Sequence, residues 1–324
     1  MVLKHGTERR LADAEGIARG AALLRAGRLV AFPTETVYGL GADARSGEAV
    51  ASIYLAKGRP RFNPLIAHVA TVSQALAEGQ FNREARALAS AFWPGPLTIV
   101  VPAANDCTIC DLARAGLNSV GLRVPDHTVA RQLLMASGFP VAAPSANRSG
   151  RISPTQAEHV AADLLGEIDL ILDGGATSVG VESTIISCLG NGVRLLRPGG
   201  ITRYDIERVI GRAMAVQTVA TSLVAPGMMA SHYAPRAAVR LNAHSAHSSE
   251  AALDFGGHFG EDVGTMCLDL SPGSDLREAA ANLFGFLRRL DASGPLAIAV
   301  APIPNRGLGE AINDRLARAA APRS

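Results

Sequence analysis

The segment "LAKGRPRFNPLIAHV", residues 55–69, concentrates groups that bind anions. Lys57 supplies a compact positive charge and Arg59 a planar fork of donors, a combination suited to the oxygens of a polyphosphate. Two prolines stiffen the backbone, and Asn63 adds a directional donor and acceptor. The same charges could instead bind the carbonyl groups at the end of the preceding helix. The segment alone therefore leaves an anion site and a structural corner open.

Two further polar side chains interrupt segments that otherwise read as buried strands. His68 lies in the apolar run that follows the basic segment, where a lone histidine is more often a core residue than a ligand. Arg123 interrupts the apolar run 120–124, where a charge is costly unless it is paired or meets a ligand. Because neighbours along a strand point to opposite faces, Arg123 is expected to face away from Leu122. It could face a cleft that accepts a carboxylate, or form a salt bridge.

Several loops next to predicted strands carry small polar groups. Open α/β sheets bind ligands at the carboxyl ends of their strands, and hydroxyls and backbone N–H groups there can hold phosphate oxygens. Ordinary turns and helix caps would use the same residue types, so both interpretations remain. The stretches "FPTETVYGLGADA", "AAPSANRSGRISPT", "GGATSVGVESTIISC" and "RLLRPGGIT" contain the candidates Thr34, Thr36, Ser145, Asn147, Ser153, Ser183 and Arg197.

The sequence lacks the familiar signatures of nucleotide-binding and hydrolytic enzymes. It has no G-x-x-x-x-G-K-[ST] loop, no G-x-G-x-x-G with a partnered acid, no G-x-S-x-G elbow and no H-E-x-x-H pair. The candidate groups are Lys, Arg, His, Ser, Thr and Asn, which position anions and stabilise developing negative charge. This inventory favours transfer at a phosphorus atom, where positioning and electrostatics supply most of the catalysis.

Composition narrows the function classes further. Lysine and arginine number 31 against 29 aspartates and glutamates, and this near-balance argues against a dedicated nucleic-acid coat. Cys107 and Cys110 form a lone C-x-x-C without the further ligands that a zinc site needs. No secretory signal and no apolar run long enough for a membrane helix is visible. We expect a reduced, soluble cytoplasmic protein that does not contact membranes.

Hydrophobic periodicity predicts alternating helices and strands. The fold class is therefore α/β: a large twisted mixed sheet with flanking helices, followed by a smaller C-terminal Rossmann-like α/β domain. Predicted domains are 1–213, a linker at 214–237 and 238–324. Predicted strands are 28–32, 65–69, 97–101, 120–124, 141–143, 169–172, 184–188, 193–197, 238–241, 263–268 and 296–300. Predicted helices are 9–27, 46–58, 82–92, 128–137, 155–165, 204–212, 275–290 and 307–319.

Seven motifs occur together and in order: "FPTETVYGLGADA", "KGRPRFNPLIAHV", "FWPGPLTIVV", "VGLRVPDH", "APSANRSG", "GVESTII" and "LLRPGGIT". In this combination the chain resembles the YrdC-domain family of L-threonylcarbamoyladenylate synthases. The linker "PGMMASHYAP" and the ending "GLGEAINDRLARAA" resemble the longer, two-domain form. The resemblance implies that L-threonine, bicarbonate and ATP give threonylcarbamoyl-AMP and pyrophosphate. Downstream proteins would then transfer the threonylcarbamoyl group to an adenosine beside the anticodon of certain tRNAs, and direct tRNA binding would be weak or indirect.

The resemblance also implies roles for individual residues. Lys57, Arg59, Ser145 and Asn147 match its catalytic constellation. Mg²⁺ would accompany ATP, held by phosphates and water because no carboxylate cluster is visible. The linker would cover the cleft mouth and exclude water from a reactive mixed anhydride. The implied ATP contacts are Lys57, Arg59, Asn63, Ser119, Ser145, Ser153, Arg197 and Tyr233. The implied L-threonine contacts are Thr34, Thr36, His68, Arg123, Ala143 and Ser183.

Three other functions remain as alternatives. An RNA-binding module would use the basic cleft, although net charge and aromatic content are low for it. A hydrogenase-maturation carbamoyltransferase can contain a related domain, but it needs zinc-finger cysteine pairs and an acylphosphatase segment that this sequence lacks. A sensor that binds threonine and nucleotide without turnover is the third.

Overall fold

The computed structural model describes residues 6–60, 63–190, 192–214, 232–260 and 265–322. Its strands are β1 Glu8–Leu11, β2 Val30–Pro33, β3 Tyr38–Asp43, β4 Ile66–His68, β5 Leu97–Pro102, β6 Ser119–Arg123, β7 Val141–Ala142, β8 Leu170–Asp173, β9 Thr184–Gly190, β10 Gly192–Arg197, β11 Ala238–Arg240, β12 Glu250–Asp254, β13 Cys267–Asp269 and β14 Ala297–Val300. Its helices are α1 Ala14–Arg25, α2 Gly47–Lys57, α3 Val72–Glu78, α4 Arg83–Phe92, α5 Asp111–Arg114, α6 Thr128–Ser137, α7 Ala157–Leu164, α8 Arg203–Ile210, α9 Leu276–Ala292 and α10 Gly309–Ala320.

The large sheet is mixed, as predicted. Its order is β1-β8-β2-β3-β7-β4-β6-β5-β9-β10. Strands β4 and β6 run parallel, as do β5 and β9, whereas β5 pairs with β6 in antiparallel orientation. The antiparallel pairs β2–β3 and β9–β10 are joined by short connections, whereas helices lie along the chain between the parallel partners, as a mixed sheet requires.

The segment 38–43 is a strand rather than the strand-to-helix loop that the sequence suggested. It forms an antiparallel hairpin with β2, with Val30 opposite Gly41. A side chain at Gly41 would lie 2.8 Å from Phe32 and 2.9 Å from Val141. Glycine is therefore required by packing on the sheet surface, not by a loop, and this requirement is invisible to periodicity.

The N-terminal prediction of a helix over 9–27 is wrong in its first turn. Residues 8–11 instead form β1, which pairs in parallel with β8 at the edge of the sheet. The helix begins at Ala14, where the Asp13 side chain caps it by accepting from Gly16 N at 2.8 Å. The helices α3 and α5 and the strand β12 were also not predicted. Strand β12, "EAALD", is alanine-rich and buried along its whole length, so it lacks the alternation that marks a strand.

Helices cover the two faces of the large sheet unequally. One face carries the main hydrophobic core, with α2, α4, α7 and α8 packed against it. On the other face α1 and α6 cover only the half formed by β8, β2 and β7. On the uncovered half, Ile66, Val100 and Ile185 form a small separate apolar cluster. The large sheet therefore has an open cleft over β4, β6, β5 and β9.

The small domain is a four-stranded parallel sheet in the order β11-β14-β12-β13, with α9 and α10 packed on it. Its core is continuous with Val37, Ile152 and Val181 of the large domain. Gly180 allows this contact, since a side chain there would lie 2.3 Å from the carbonyl oxygen of Ala280 in α9. The small domain thus packs beside the cleft.

Most of the predicted linker, residues 215–231, lies outside the described residues, as do the first two residues of the predicted strand at 263–268, whose last two residues belong to β13. Within the described part of the chain, no helix is both long and apolar enough to span a bilayer.

Candidate functional site

The cleft floor is built by the alternation of side chains on neighbouring strands. His68 of β4 lies directly beside Arg123 of β6 in the parallel register. Their chain neighbours Ala67 and Leu122 point the opposite way and are buried in the main core. The register thus brings two polar groups 55 positions apart in the numbering onto one surface.

A cavity of about 50 Å³ opens above this surface. Many of the residues that the sequence singled out line it, together with Val37, Gly39, Ile66 and Pro144. Glu182 and His232 also line it. Both are titratable, and the sequence analysis gave neither of them a role. In the sequence, the one feature that could have pointed to them is that Glu182 directly precedes Ser183 and His232 directly precedes Tyr233, both predicted ligand contacts. The predicted site residues in the lining are Thr34, Thr36, Arg59, His68, Arg123, Ala143, Ser145, Ser183, Arg197 and Tyr233.

Arg123 both lines the cavity and forms a buried ion pair. Its Nη2 donates to Glu35 Oε1 at 2.7 Å, and its Nε donates to the carbonyl of Gly95 at 3.3 Å. The two alternatives drawn from the sequence, a cleft and a salt bridge, are therefore both realised. Glu35 Oε2 is buried and has no hydrogen-bond partner among the described residues. Glu35 lies behind Arg123 and fixes its orientation.

His68 is neutral in this environment. Burial, and then the charge of Arg123, lower the pKa of its imidazole to about 3. Its Nδ1 is buried without a hydrogen-bond partner among the described residues. The ring therefore offers one unused polar atom at the cavity.

Thr34 and Thr36 have defined hydrogen-bonding roles. Thr34 Oγ1 donates to the carbonyl of Val37 at 2.8 Å, and it lies 2.8 Å from Thr36 Oγ1. A hydroxyl has one proton, so Thr36 must be the donor between the two threonines. The lone pairs of Thr36 Oγ1 are then left to accept from a ligand N–H group.

Arg197 and Ser183 meet where β9 begins and β10 ends. Arg197 Nη2 donates to the Ser183 carbonyl at 2.9 Å and to Ser183 Oγ at 3.3 Å. Ser183 Oγ also lies 2.8 Å from Thr98 Oγ1. Gly199 permits this packing, because a side chain there would lie 2.3 Å from the carbonyl oxygen of Glu182. The glycine motif after β10 thus shapes the site by close backbone approach.

In the basic segment, Arg59 and Lys57 have different positions relative to the cavity. Arg59 lines the cavity and donates to the carbonyl of Pro64 at 3.1 Å. Lys57 does not line it: Nζ donates to the carbonyls of Ser145, at 2.5 Å, and Asn147. The Asn147 amide in turn donates to carbonyls within its own loop. In this structure Lys57 and Asn147 hold the 145–151 loop in place beneath the cavity.

Buried positive charge is the main electrostatic feature of the site. Lys57, Arg59 and Arg197 are each less than a tenth exposed. Burial lowers the pKa of Arg59 to about 10 and that of Lys57 well below its ordinary value. Across the described ranges none of the three forms an ion pair with a carboxylate; their partners are carbonyls and a hydroxyl. Buried cations that form no direct ion pair with a carboxylate favour a multiply charged anionic ligand.

The predicted ATP contacts Ser119 and Asn63 lie off the main cavity. Ser119 lines a separate recess with Pro64, Leu65, Val100 and Gly121. Ile66 borders both spaces, so they adjoin on the cleft floor. Ser119 and Arg123 lie on the same face of β6 at its two ends. Thr98 and Arg114 also line the recess, so one end of the cleft has mixed apolar and polar walls, and the other end carries Arg123. Asn63 is buried beneath this floor.

Residues from beyond the large sheet close the cavity. Tyr233 is fully buried and adopts φ 62°, an uncommon conformation for a non-glycine residue. Its ring stacks on Phe284 of α9 at 5.6 Å between centroids, and His232 packs against it. The hydrogen bond from Ala234 N to the Gly150 carbonyl, 2.9 Å, fastens this segment to the loop after β7.

Glu182 is a carboxylate in the cavity lining, and both of its oxygens are engaged. Ser153 Oγ donates to Oε1, and Arg315 Nε of α10 donates to Oε2 at 2.8 Å. Burial opposes its ionisation, but the charges of Arg315 and Arg197 outweigh burial and lower its pKa to about 2. Ser153 is itself fully buried behind Glu182 and outside the cavity lining. Among the described residues no three His, Cys, Asp or Glu side chains group to hold a metal ion.

Comparisons with known proteins follow the two-domain division. The Sua5/YciO/YrdC family model, described as telomere recombination, matches residues 22–199. A second model, the C-terminal domain of threonylcarbamoyl-AMP synthase, matches residues 201–321. A threonylcarbamoyl-AMP synthase from Bacillus subtilis is 43% identical over 94% of this chain and 92% of its own length.

Solved structures of Sua5 from Pyrococcus abyssi share the fold. One, in complex with L-threonine, has a TM-score of 0.87 and 38% identity, and the match covers 97% of this chain and 96% of that one. Another, in which an adjacent histidine and tyrosine are replaced by alanine, has a TM-score of 0.86 and 36% identity over 99% of this chain and 96% of its own.

Proposed function

Because the chain belongs to the Sua5/YrdC family in its two-domain form, we propose that it is a threonylcarbamoyl-AMP synthase. It would be a nucleotidyltransferase that converts L-threonine, bicarbonate and ATP to threonylcarbamoyl-AMP and pyrophosphate. One observation carries this proposal beyond family membership. Three buried cations without carboxylate partners lie around the same cleft as an arginine that faces a neutral histidine. A polyphosphate and an amino-acid carboxylate together match that pattern.

L-Threonine would occupy the polar end of the cleft. The Arg123 guanidinium would bind its carboxylate while Glu35 keeps the fork in position. The free Nδ1 of His68 and the lone pairs of Thr36 would contact its amine and hydroxyl. Ser183 and the backbone at Ala143 complete the proposed threonine contacts, with Thr34 acting through Thr36.

ATP would lie along the rest of the cleft floor. Arg59 and Arg197 would bind the phosphates, and Lys57 would act with them after moving from its carbonyl partners or through the loop it holds. The recess at Ser119, where Thr98 and Arg114 join apolar side chains in the lining, would take the adenine ring. Magnesium would enter as part of the MgATP substrate, because the described residues offer it no cage and both Glu182 oxygens are engaged.

The chemistry follows from this order of groups. The threonine amine would bond to the carbon of bicarbonate with loss of water, giving a carbamate. A carbamate oxygen would then attack the α-phosphorus of ATP, and the bond to the β-phosphate oxygen would break to release pyrophosphate. Positive charge from Arg59, Arg197 and Lys57 would stabilise the leaving group. His232 and Tyr233 would keep water from the mixed anhydride.

The product would pass to proteins that transfer the threonylcarbamoyl group to tRNA, and we place the reaction in the cytoplasm. The small net charge of +2 fits an enzyme that hands on a small molecule without binding tRNA strongly itself.

The deciding experiment is pyrophosphate release by the purified chain with MgATP, omitting threonine or bicarbonate in turn. Release that requires both supports the synthase. Release with neither would indicate an ATP pyrophosphatase. No release by a folded chain would favour an RNA-binding module or a sensor. Salt-sensitive binding of RNA would then indicate the RNA-binding module, and binding of threonine would indicate the sensor.

A further inference from the structure

The small domain reaches the cavity through one arginine. Arg315 of α10 is completely buried. Its Nε donates to Glu182 Oε2 at 2.8 Å, and its Nη1 donates both to the carbonyl of Pro198 and to Oδ2 of the neighbouring Asp314, each at 2.8 Å. Its guanidinium carbon lies 5.3 Å from the centre of the Tyr233 ring. Two of these partners, Glu182 and Tyr233, line the proposed nucleotide cavity.

Docking of the two domains does not explain a buried arginine at this position. The domains already share a hydrophobic cluster, and Arg203 pairs with Glu310 across their surface at 2.7 Å. Burying an ion pair costs desolvation that apolar packing would avoid. Arg315 Nη2 is moreover buried without a hydrogen-bond partner among the described residues, so the contacts seen in that part of the chain leave this side chain partly unsatisfied. A role in the neighbouring site is the better explanation.

Glu182 shows what that role would be. A carboxylate in the wall of a triphosphate site repels the ligand unless its charge is compensated. Arg315 supplies compensating charge, as Arg197 also does, and it holds Oε2 by a hydrogen bond, which leaves Oε1 to hold Ser153. The same guanidinium supports one side of the Tyr233 ring, at cation–π distance.

Resting on the proposed function, we propose that Arg315 is a positioning residue for ATP. The small domain is then part of the nucleotide site rather than a cover beside it. Through Arg315 it neutralises Glu182 and fixes Tyr233, both at the nucleotide cavity. None of the proposed threonine contacts, all of them described residues, is a hydrogen-bond partner of Arg315, so threonine binding should not require this contact.

The test is a double-mutant cycle on ATP affinity. Arg315→Met, Glu182→Gln and the double variant are compared by calorimetric titration with MgATP, and by KM for ATP and for threonine. Arg315→Met should weaken ATP binding about tenfold or more, equivalent to about 1.4 kcal/mol, with KM for threonine changed less than about twofold. Adding Glu182→Gln should restore part of the ATP affinity, because the uncompensated charge is gone. A circular-dichroism melt of each variant reports the fold.

Arg203→Met is the matched control, since it removes an interdomain ion pair of which neither partner lines the cavity. It should leave both affinities unchanged. Equal losses for ATP and threonine, or a double variant no better than Arg315→Met, would overturn the proposal, as would a lower melting temperature with unchanged ATP affinity. Because calorimetry needs no turnover, the result stands apart from failure of the synthase assay.

Discussion

Arg123 and Glu35 form an ion pair that is buried on both sides, with 2.7 Å between Nη2 and Oε1, at the edge of the cavity. The carboxylate approaches from behind, so the guanidinium can still present donors to the cleft. An incoming carboxylate would therefore meet an arginine that is already oriented and desolvated. Because Arg123 is preorganised in this way, we expect threonine affinity to depend strongly on the shape of the side chain at position 123 as well as on its charge.

Replacing Arg123 with lysine tests this dependence. Lysine retains a charge for Glu35 but lacks the fork that would serve Glu35 and threonine together. We expect KM for threonine to rise about tenfold or more, with KM for ATP nearly unchanged. Arg19→Lys, at an exposed arginine that pairs with Glu8, is the control and should behave as the wild type. A parallel rise in both KM values would contradict a threonine-specific role.

Lys57 should titrate below an ordinary lysine, because burial and the neighbouring Arg59 disfavour its charged form and lower its pKa. The sequence contains one other lysine, Lys4, so carbon NMR of lysine-labelled protein gives few resonances, which a Lys4→Arg variant assigns. Adding MgATP should raise the Lys57 pKa, since phosphate charge favours the ammonium form. An unshifted Lys57 resonance with saturating MgATP would argue against phosphate contact.

Stability should fall in mild acid partly because of His68. The folded chain keeps this ring neutral down to a pKa of about 3, whereas the unfolded chain takes up a proton near pH 6.5. Its contribution is therefore complete above pH 6.5 and is lost as the pH falls toward 3. Urea unfolding of the wild type should show an unfolding free energy that falls between pH 6.5 and pH 4. In His68→Gln this fall should be smaller, by up to about 1.4 kcal/mol per pH unit, because glutamine takes up no proton.

Part of the acid sensitivity should remain in that variant, because burial also lowers the pKa of three other histidines: the buried His232, to about 3, the half-buried His159, to about 4, and His127. His244→Gln, at an exposed ring, serves as control and should follow the wild-type curve. Identical slopes for wild type and His68→Gln would rule out a neutral buried His68.

Gly121 tests the orientation of the nucleotide. A side chain there would lie 3.7 Å from Thr98 and 3.8 Å from Val100, so a small side chain fits without moving the sheet. It would fill the floor beside Ser119. We expect KM for ATP to rise slightly in Gly121→Ala and about tenfold in Gly121→Val, with KM for threonine unchanged. If threonine binding suffers instead, the proposed orientation of the ligands is reversed.

Local sequence determined much of this protein. Periodicity and cap residues predicted most helices, including the end of α2 at Gly58, whose φ of 59° suits a helix terminus. Polar residues beside the ends of predicted strands indicated where the cleft lies, because open α/β sheets bind ligands at the carboxyl ends of their strands. The seven motifs together predicted the family, and the linker and C-terminal segments predicted the two-domain form; the comparisons confirm both.

Contacts between distant segments were decided only by the tertiary structure. Strand β1 pairs with the distant β8, and β3 pairs with the distant β7 as well as with its neighbour β2. Lys57 bonds to carbonyls some 90 positions away rather than facing the cavity, and Glu182 meets Arg315 across 133 positions. Sequence patterns report which face of its own element a side chain occupies. They do not report which distant group shares that space, because register and domain packing select the partner.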